Sequence, residues 1–144
     1  MTRGRLWGCA CVLVLSAIVP DIARAGHAGP RLSADPRLVW IANPQKGAAL
    51  FQNRCSTCHM VQEGGPNKIG PSLHGLFGRQ AGTIPGYNYS ADMRASRIVW
   101  NVKTLDEYLR DPHRGIPSAN MPYLGLSSKT DRDDLISFLE QATR

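Results

Sequence analysis

The chain has 144 residues, with 17 Lys and Arg against 11 Asp and Glu, a formal charge of +6 and an isoelectric point near 9.5. That length favours one domain over two. The first 25 residues hold three of the 17 basic and one of the 11 acidic residues, so without them the charge is +4. Nucleic-acid binding usually needs a clustered basic face, and none is expected here.

Residues 1–25 carry Arg3 and Arg5, then an apolar run from Cys11 to Val19, Pro20, and the small-residue end Ala23-Arg24-Ala25. This order predicts a secretory signal peptide cleaved before Gly26. The apolar run is shorter than the roughly 20 residues a membrane span requires, so no stable membrane insertion is expected. A lipid-modified cysteine would follow the apolar run, whereas Cys9 precedes it. Cys9 and Cys11 therefore leave with the signal, and Cys55 and Cys58 remain.

Residues 26–43 contain two prolines with glycine and mixed charge, which predicts an extended leader whose Leu38-Val39-Trp40-Ile41 run can dock on the domain. Asn43 is placed to cap a helix with Pro44 at its first position, and Gly47 and Phe51 then share one face. Gly64 to Tyr89 is rich in Gly, Pro and Asn and reads as long loops that need something else to pack on. Asn101 can cap a second helix that buries Leu105, Tyr108 and Leu109 and stops at Pro112. A third is expected from near Thr130, with Asp131, Asp133 and Asp134 in its first turn and Leu135, Phe138 and Leu139 buried. No repeat, low-complexity tract or strand-like alternation interrupts this pattern.

The chemistry concentrates in Cys55-Ser56-Thr57-Cys58-His59. Thiols three residues apart project from one helical turn toward the same side, as attachment to two haem vinyl groups requires. C-x-x-C-H is the attachment signal for c-type haem, and His59 can then turn its imidazole onto the iron. A structural disulfide, a redox-active pair and half of a zinc site are the plainer alternatives. No second Cys or His pair has zinc spacing, and no βαβ pattern accompanies the motif.

An iron that moves electrons rather than binding oxygen needs a sixth ligand, and a thioether raises its potential. Met1 is removed and Met60 lies too close to His59, which leaves Met93 and Met121. Met121 follows Pro117 and precedes Pro122, in a stiff loop suited to presenting sulfur, although filling the core is the commoner role of methionine. His27, His74 and His113 are weaker competitors, each a lone histidine in polar sequence.

With Cys55-Ser-Thr-Cys-His59 and Met121-Pro122 in place, the chain resembles the class I cytochromes c, mitochondrial-type and bacterial relatives, from about Gln45 to Arg144. The likeness includes Lys68-Ile-Gly-Pro71-Ser-Leu-His-Gly-Leu-Phe-Gly-Arg79, Pro85-Gly-Tyr-Asn-Tyr89, Ile98-Val-Trp100, Thr104-Leu-Asp-Glu-Tyr108-Leu and Asp133-Asp-Leu-Ile. It implies an all-α small cytochrome c fold over 44–144, a few helices and long loops wrapped around one covalent haem c. It implies iron ligation by His59 and Met121, a Pro71 carbonyl that fixes the His59 ring, and haem propionates held by Arg79, Tyr89 and Trp100. The Gly47/Phe51 face would cross the last helix near Leu135 and Phe138. Three positions depart from the family pattern: Met93 where asparagine is usual, Ala119 for a hydroxyl residue, and Tyr123 where phenylalanine is common.

The function implied is a soluble one-electron carrier between larger membrane or soluble redox proteins, not an enzyme. It would work as an exported monomer in a bacterial periplasm and serve a respiratory chain. A peroxidase would need an open iron position, which Met121 closes. A fixed haem subunit of a larger complex would use the leader around Trp40 for assembly. Relatives ring the exposed haem edge with lysines; here the matching positions carry Arg54, His113, Arg114, Asn120, Ser127 and Ser128, while Lys68 and Lys129 remain.

Overall fold

The computed structural model describes residues 41–144. The expected signal segment and all of the leader before Ile41 lie outside the described residues. Among those described, five helices follow in order: α1 (Pro44–Arg54), α2 (Ala91–Ala95), α3 (Val102–Arg110), α4 (Pro112–Gly115) and α5 (Lys129–Ala142). Pairing of strand type is confined there to one antiparallel bridge between Gln80 and Val99, and the fold is all-α as expected.

The Asn43 side chain accepts the N–H groups of Gln45 and Lys46 and so satisfies donors that the first turn of α1 would otherwise leave bare. Pro44 fits the first helical position because it has no N–H to lose. In α3 the reciprocal pairing of Asn101 and Thr104 completes a capping box. Leu105 and Leu109 are buried, and Tyr108 is partly so.

Helices α1 and α5 pack face to face. A methyl group on Gly47 would overlap the Asp134 carbonyl and come within 2.8 Å of the Phe138 Cβ, so glycine is what lets the two backbones approach. The Phe51 and Phe138 rings lie 5.4 Å apart beside this contact. Leu135, Ile136 and Leu139 are buried on the inner face of α5, each contributing roughly 1.5–3 kcal/mol of apolar burial.

Three local expectations need correction. Helix α5 starts one residue early, capped by Ser128, and of the three aspartates only Asp131 falls in its first turn. Asp133 pairs with Lys129 one turn back. Asp134 is buried and accepts the Asn43 N–H at 2.6 Å, which ties the start of α1 to α5. Pro112 does end α3, but it also opens the short helix α4, with Asp111 serving as C-cap of one and N-cap of the other. Helix α2 has no sequence counterpart in the reading above; Ser90 caps it, and Met93 is its buried residue.

Candidate functional site

The core has a hole in it. Phe51, Leu105, Leu109, Leu135 and Leu139, which would meet one another in a close-packed interior, instead face a common cavity enclosing about 1030 Å³ of empty space, its open mouth included. Cys55, Cys58, His59, Pro71, Arg79, Tyr89, Trp100 and Met121 all line this cavity, and so does Met93. Every residue expected at the site is thus brought to one place. His113 lies outside it, as does His74, whose Nδ1 is buried without a partner; His27 lies outside the described residues.

The two thiols sit in the turn that ends α1. Cys58 and His59 donate their N–H groups to the Cys55 carbonyl, which closes the turn and sets all three side chains on the cavity. Both cysteines are free thiols. Burial pushes the Cys55 thiol up to about 11, outweighing the neighbouring Arg54, which acts the other way. A redox-active pair needs a depressed thiol that supplies thiolate at neutral pH, so this environment is the wrong one for it.

His59 is held by the following loop. Gly70 donates to the Cys58 carbonyl at 2.9 Å and Leu73 to the Met60 carbonyl at 2.7 Å. Between them the Pro71 carbonyl lies 2.8 Å from His59 Nδ1, which assigns the proton to Nδ1 and leaves the Nε2 lone pair free to ligate. Burial lowers the His59 pKa, only partly opposed by the Pro71 bond, so the neutral ring that a metal requires is favoured. Gly70 is needed here, because any Cβ would run into the imidazole. Asn67 steadies the loop further: its Oδ1 accepts the Ser72 N–H at 2.9 Å and its Nδ2 donates to the Pro85 carbonyl at 3.1 Å.

Met121 is equally well anchored. Its loop is pinned by the Ala119 N–H on the Ile116 carbonyl, by Asn120 Nδ2 on the Asn88 carbonyl, and by the Leu126 N–H on the Leu109 carbonyl. Beyond it the buried Arg132 guanidinium bonds the Leu126 and Ser127 carbonyls and Asp106, which joins the loop's end to α3 and α5. The Tyr108 hydroxyl donates to the Met121 sulfur at 3.8 Å. Sequence reasoning placed Tyr108 in the core and missed this role. The available signal was a buried phenol, which must find a partner for its hydroxyl.

Arg79 and Tyr89 neighbour one another on the cavity wall, where burial lowers the Arg79 pKa and raises that of Tyr89. Arg79 already donates to the His74 and Ser72 carbonyls, at 2.6 and 3.2 Å, so it braces the loop while facing the cavity. Trp100 packs edge-on to Tyr108, with ring centroids 5.1 Å apart.

These residues fit a covalent haem. An apolar cavity in the middle of a small core calls for a flat apolar occupant. Two thiols on its wall supply thioether attachment, and an imidazole with one nitrogen already committed, together with a fixed thioether, supplies donors of the right chemistry for iron.

Comparison with known proteins agrees. The family model described as cytochrome c matches residues 44–143. Cytochrome c of Cochliobolus lunatus is 50% identical over 100 residues, covering 69% of this chain and 93% of the relative. Cytochrome c of Stellaria longipes is 49% identical with the same coverage of each chain. Cytochrome c of Arabidopsis thaliana is 48% identical over 100 residues, covering 69% of this chain and 89% of the relative. A core hollowed around two free thiols and a prepared imidazole, and a match that spans the whole of that core, make the same assignment: the chain belongs to the cytochrome c family.

Proposed function

We propose that His59 and Met121 would ligate the iron, with the Pro71 carbonyl fixing the His59 ring, and that Arg79, Tyr89 and Trp100 would hold the haem propionates. As a cytochrome c, the chain is a one-electron carrier with haem c bound covalently through Cys55 and Cys58, and it is not an enzyme. The observation that carries the ligand reading is the convergence of a Pro71-bonded imidazole and a Tyr108-bonded thioether on one apolar cavity. When bound, the haem supplies the redox couple. The protein's part is to hold both ligands in place in either oxidation state, so that little reorganises on electron transfer. Loops stitched to the backbone on each side of the cavity are suited to that. The test is the oxidised spectrum, in which a low-spin iron with a sulfur–iron band is expected.

Export to a bacterial periplasm rests on the pattern of residues 1–25 alone. The relatives named above are eukaryotic and lend it no support. Among the described residues no helix is long and apolar enough to cross a membrane. A membrane-bound or soluble redox protein would serve as donor and another as acceptor, with this chain acting as a monomer.

Met93 occupies the position where the family pattern has asparagine, and it is buried on the cavity wall. Met93→Asn is expected to lower the unfolding free energy by about 1–3 kcal/mol, because the carboxamide must give up water. It should also shift the reduction potential measurably, since it adds a dipole beside the cavity. Unchanged thermal unfolding and an unchanged potential would show that the new side chain stays out of it.

Long-range steering toward an acidic partner should be weak. Lys129, one of the two remaining lysines, is ion-paired with Asp133, and Lys68 donates to the Ser56 carbonyl at 2.8 Å. Charges beyond the Debye length, about 8 Å at physiological salt, contribute little. The bimolecular rate with the physiological partner should therefore fall only shallowly with ionic strength. A steep fall, abolished by neutralising Arg54 and Arg114, would contradict this.

A further inference from the structure

We infer that the pocket between α3 and α4 is a binding site for a free α-amino acid with an apolar side chain, and that its occupant acts on Met121 through Tyr108. The site stands apart from the reading of the iron ligands, whereas its effect on Met121 rests on that reading. The pocket encloses about 760 Å³ of empty space, its open mouth included, within the roughly 300–1,000 Å³ of small-molecule sites. Ile98 and Tyr108 supply its apolar lining, and Glu107, Arg110, Asp111 and Arg114 supply charge.

Gly115 ends α4 and lines the same pocket. Its φ lies outside the left-handed region, and a Cβ there would meet no atom within 4 Å. Neither backbone nor packing therefore requires glycine, which weakens a helix relative to alanine. What glycine does at this position is keep side-chain atoms out of the pocket.

The polar groups indicate the occupant's chemistry. Thr104 Oγ1 is already committed, donating to the Val99 carbonyl at 2.8 Å and accepting the Asn101 N–H at 2.9 Å. The charged groups are not. The ion pairs among the described residues join Lys129 to Asp133 and Arg132 to Asp106, so two guanidinium and two carboxylate groups share this pocket without pairing. Asp111 accepts the Arg114 N–H on one oxygen at 3.2 Å and keeps the other. A carboxylate suits the planar guanidinium fork, an ammonium suits Glu107 and Asp111, and an apolar side chain covers Ile98 and Tyr108. An apolar α-amino acid carries all three groups on one carbon. A phosphate dianion would gain the arginines but lie against two carboxylates.

Tyr108 lines both this pocket and the haem cavity, and its hydroxyl donates to the Met121 sulfur at 3.8 Å. Gly115 leads into the fully buried Ile116, whose carbonyl accepts the Ala119 N–H at 2.9 Å where the Met121 loop begins. An occupant thus touches the residue that bonds the sulfur and borders the turn that carries it. Such coupling is reciprocal: a ligand that shifts the potential is itself bound more tightly in one oxidation state.

The probe is L-leucine, titrated into the reduced and the oxidised holoprotein and followed by NMR at the Ile98 methyl groups and the Gly115 amide. Saturable shifts are expected at both, with dissociation constants that differ between the oxidation states and a reduction potential that moves as the site fills. Arg114→Gln should weaken binding about tenfold, as loss of one charge-assisted contact does. N-acetyl-L-leucine, which lacks the ammonium, should bind more weakly by a similar factor. Gly115→Tyr should abolish binding while the sulfur–iron band and the melting temperature are retained. Absence of a saturable shift in the wild type overturns the inference, and so does L-leucine binding that persists in Gly115→Tyr. Inorganic phosphate or N-acetyl-L-leucine binding as tightly as L-leucine at the same residues overturns the ligand class. Equal dissociation constants in both oxidation states, with an unmoved potential, overturn the link to Met121. Failure of the iron-ligand reading looks different: the wild-type holoprotein would lack the sulfur–iron band whether or not Ile98 and Gly115 respond.

Discussion

In Met121→Ala the haem stays attached through Cys55 and Cys58, the sulfur–iron band disappears, and the reduction potential falls on the order of 0.2 V, within the roughly 0.8 V range that axial ligands command. The fall follows from the chemistry of sulfur, which favours the reduced iron relative to a harder or absent ligand. The opened position should also bind added imidazole, which the wild type excludes. The variant should keep its fold, because the loop is held from outside Met121: Ile116 is fully buried, Leu126 bonds Leu109, and Arg132 clamps the carbonyls of Leu126 and Ser127. The competing methionine is well defined. Met93 also lines the cavity, but it sits on a short helix and no hydroxyl donates to its sulfur among the bonds described. If the sulfur–iron band survives in Met121→Ala, Met93 is the ligand and the Tyr108 contact merely packs the loop.

The attachment motif and the helix faces were legible in the sequence because each is local. Cys55, Cys58 and His59 share one turn, Asn43 and Asn101 cap the helices they immediately precede, and Gly47 with Phe51 marks the face that α5 covers. Tyr108 was legible as a core residue but not as the donor to Met121, since that contact spans thirteen positions and depends on how the Met121 loop folds back. Pro71 beside His59, twelve residues apart, came from family likeness, and the structure supplies its cause: Asn67, Gly70 and Leu73 stitch the loop to the attachment turn. Asp134 was placed in the first turn of the last helix, because nothing in the sequence shows that the Asn43 N–H approaches it from ninety-one residues away. Short helices such as α2 escape periodicity altogether, because five residues cannot display a face.

Cys58→Ala is expected to lower the yield of holoprotein sharply and to leave protease-sensitive apoprotein. The reason lies in how the core is built. Phe51, Leu105, Leu109, Leu135 and Leu139 all face the haem cavity, so without its occupant the best-buried residues of α1, α3 and α5 border a void that the rigid loops cannot close. The segment from Gly64 to Tyr89 contains no helix and depends on the same cavity for its packing, through Gly70, Pro71, Leu73, Leu76 and Tyr87. Binding of the group and folding of the chain are therefore one equilibrium. The single remaining thioether at Cys55 still tethers the haem, but it leaves the ring free to swing and lowers its effective concentration at the site. A cost of only about 1.4 kcal/mol would already reduce the folded holo fraction relative to apoprotein about tenfold. Cys58 also sits one residue before His59, so losing its bond loosens the ligand whose orientation the Pro71 carbonyl sets. The measurement is haem content per polypeptide together with thermal unfolding of whatever holoprotein is recovered. Normal haem content and an unchanged melting temperature in Cys58→Ala would mean that one thioether suffices to organise the fold, and that the loops hold the cavity open on their own.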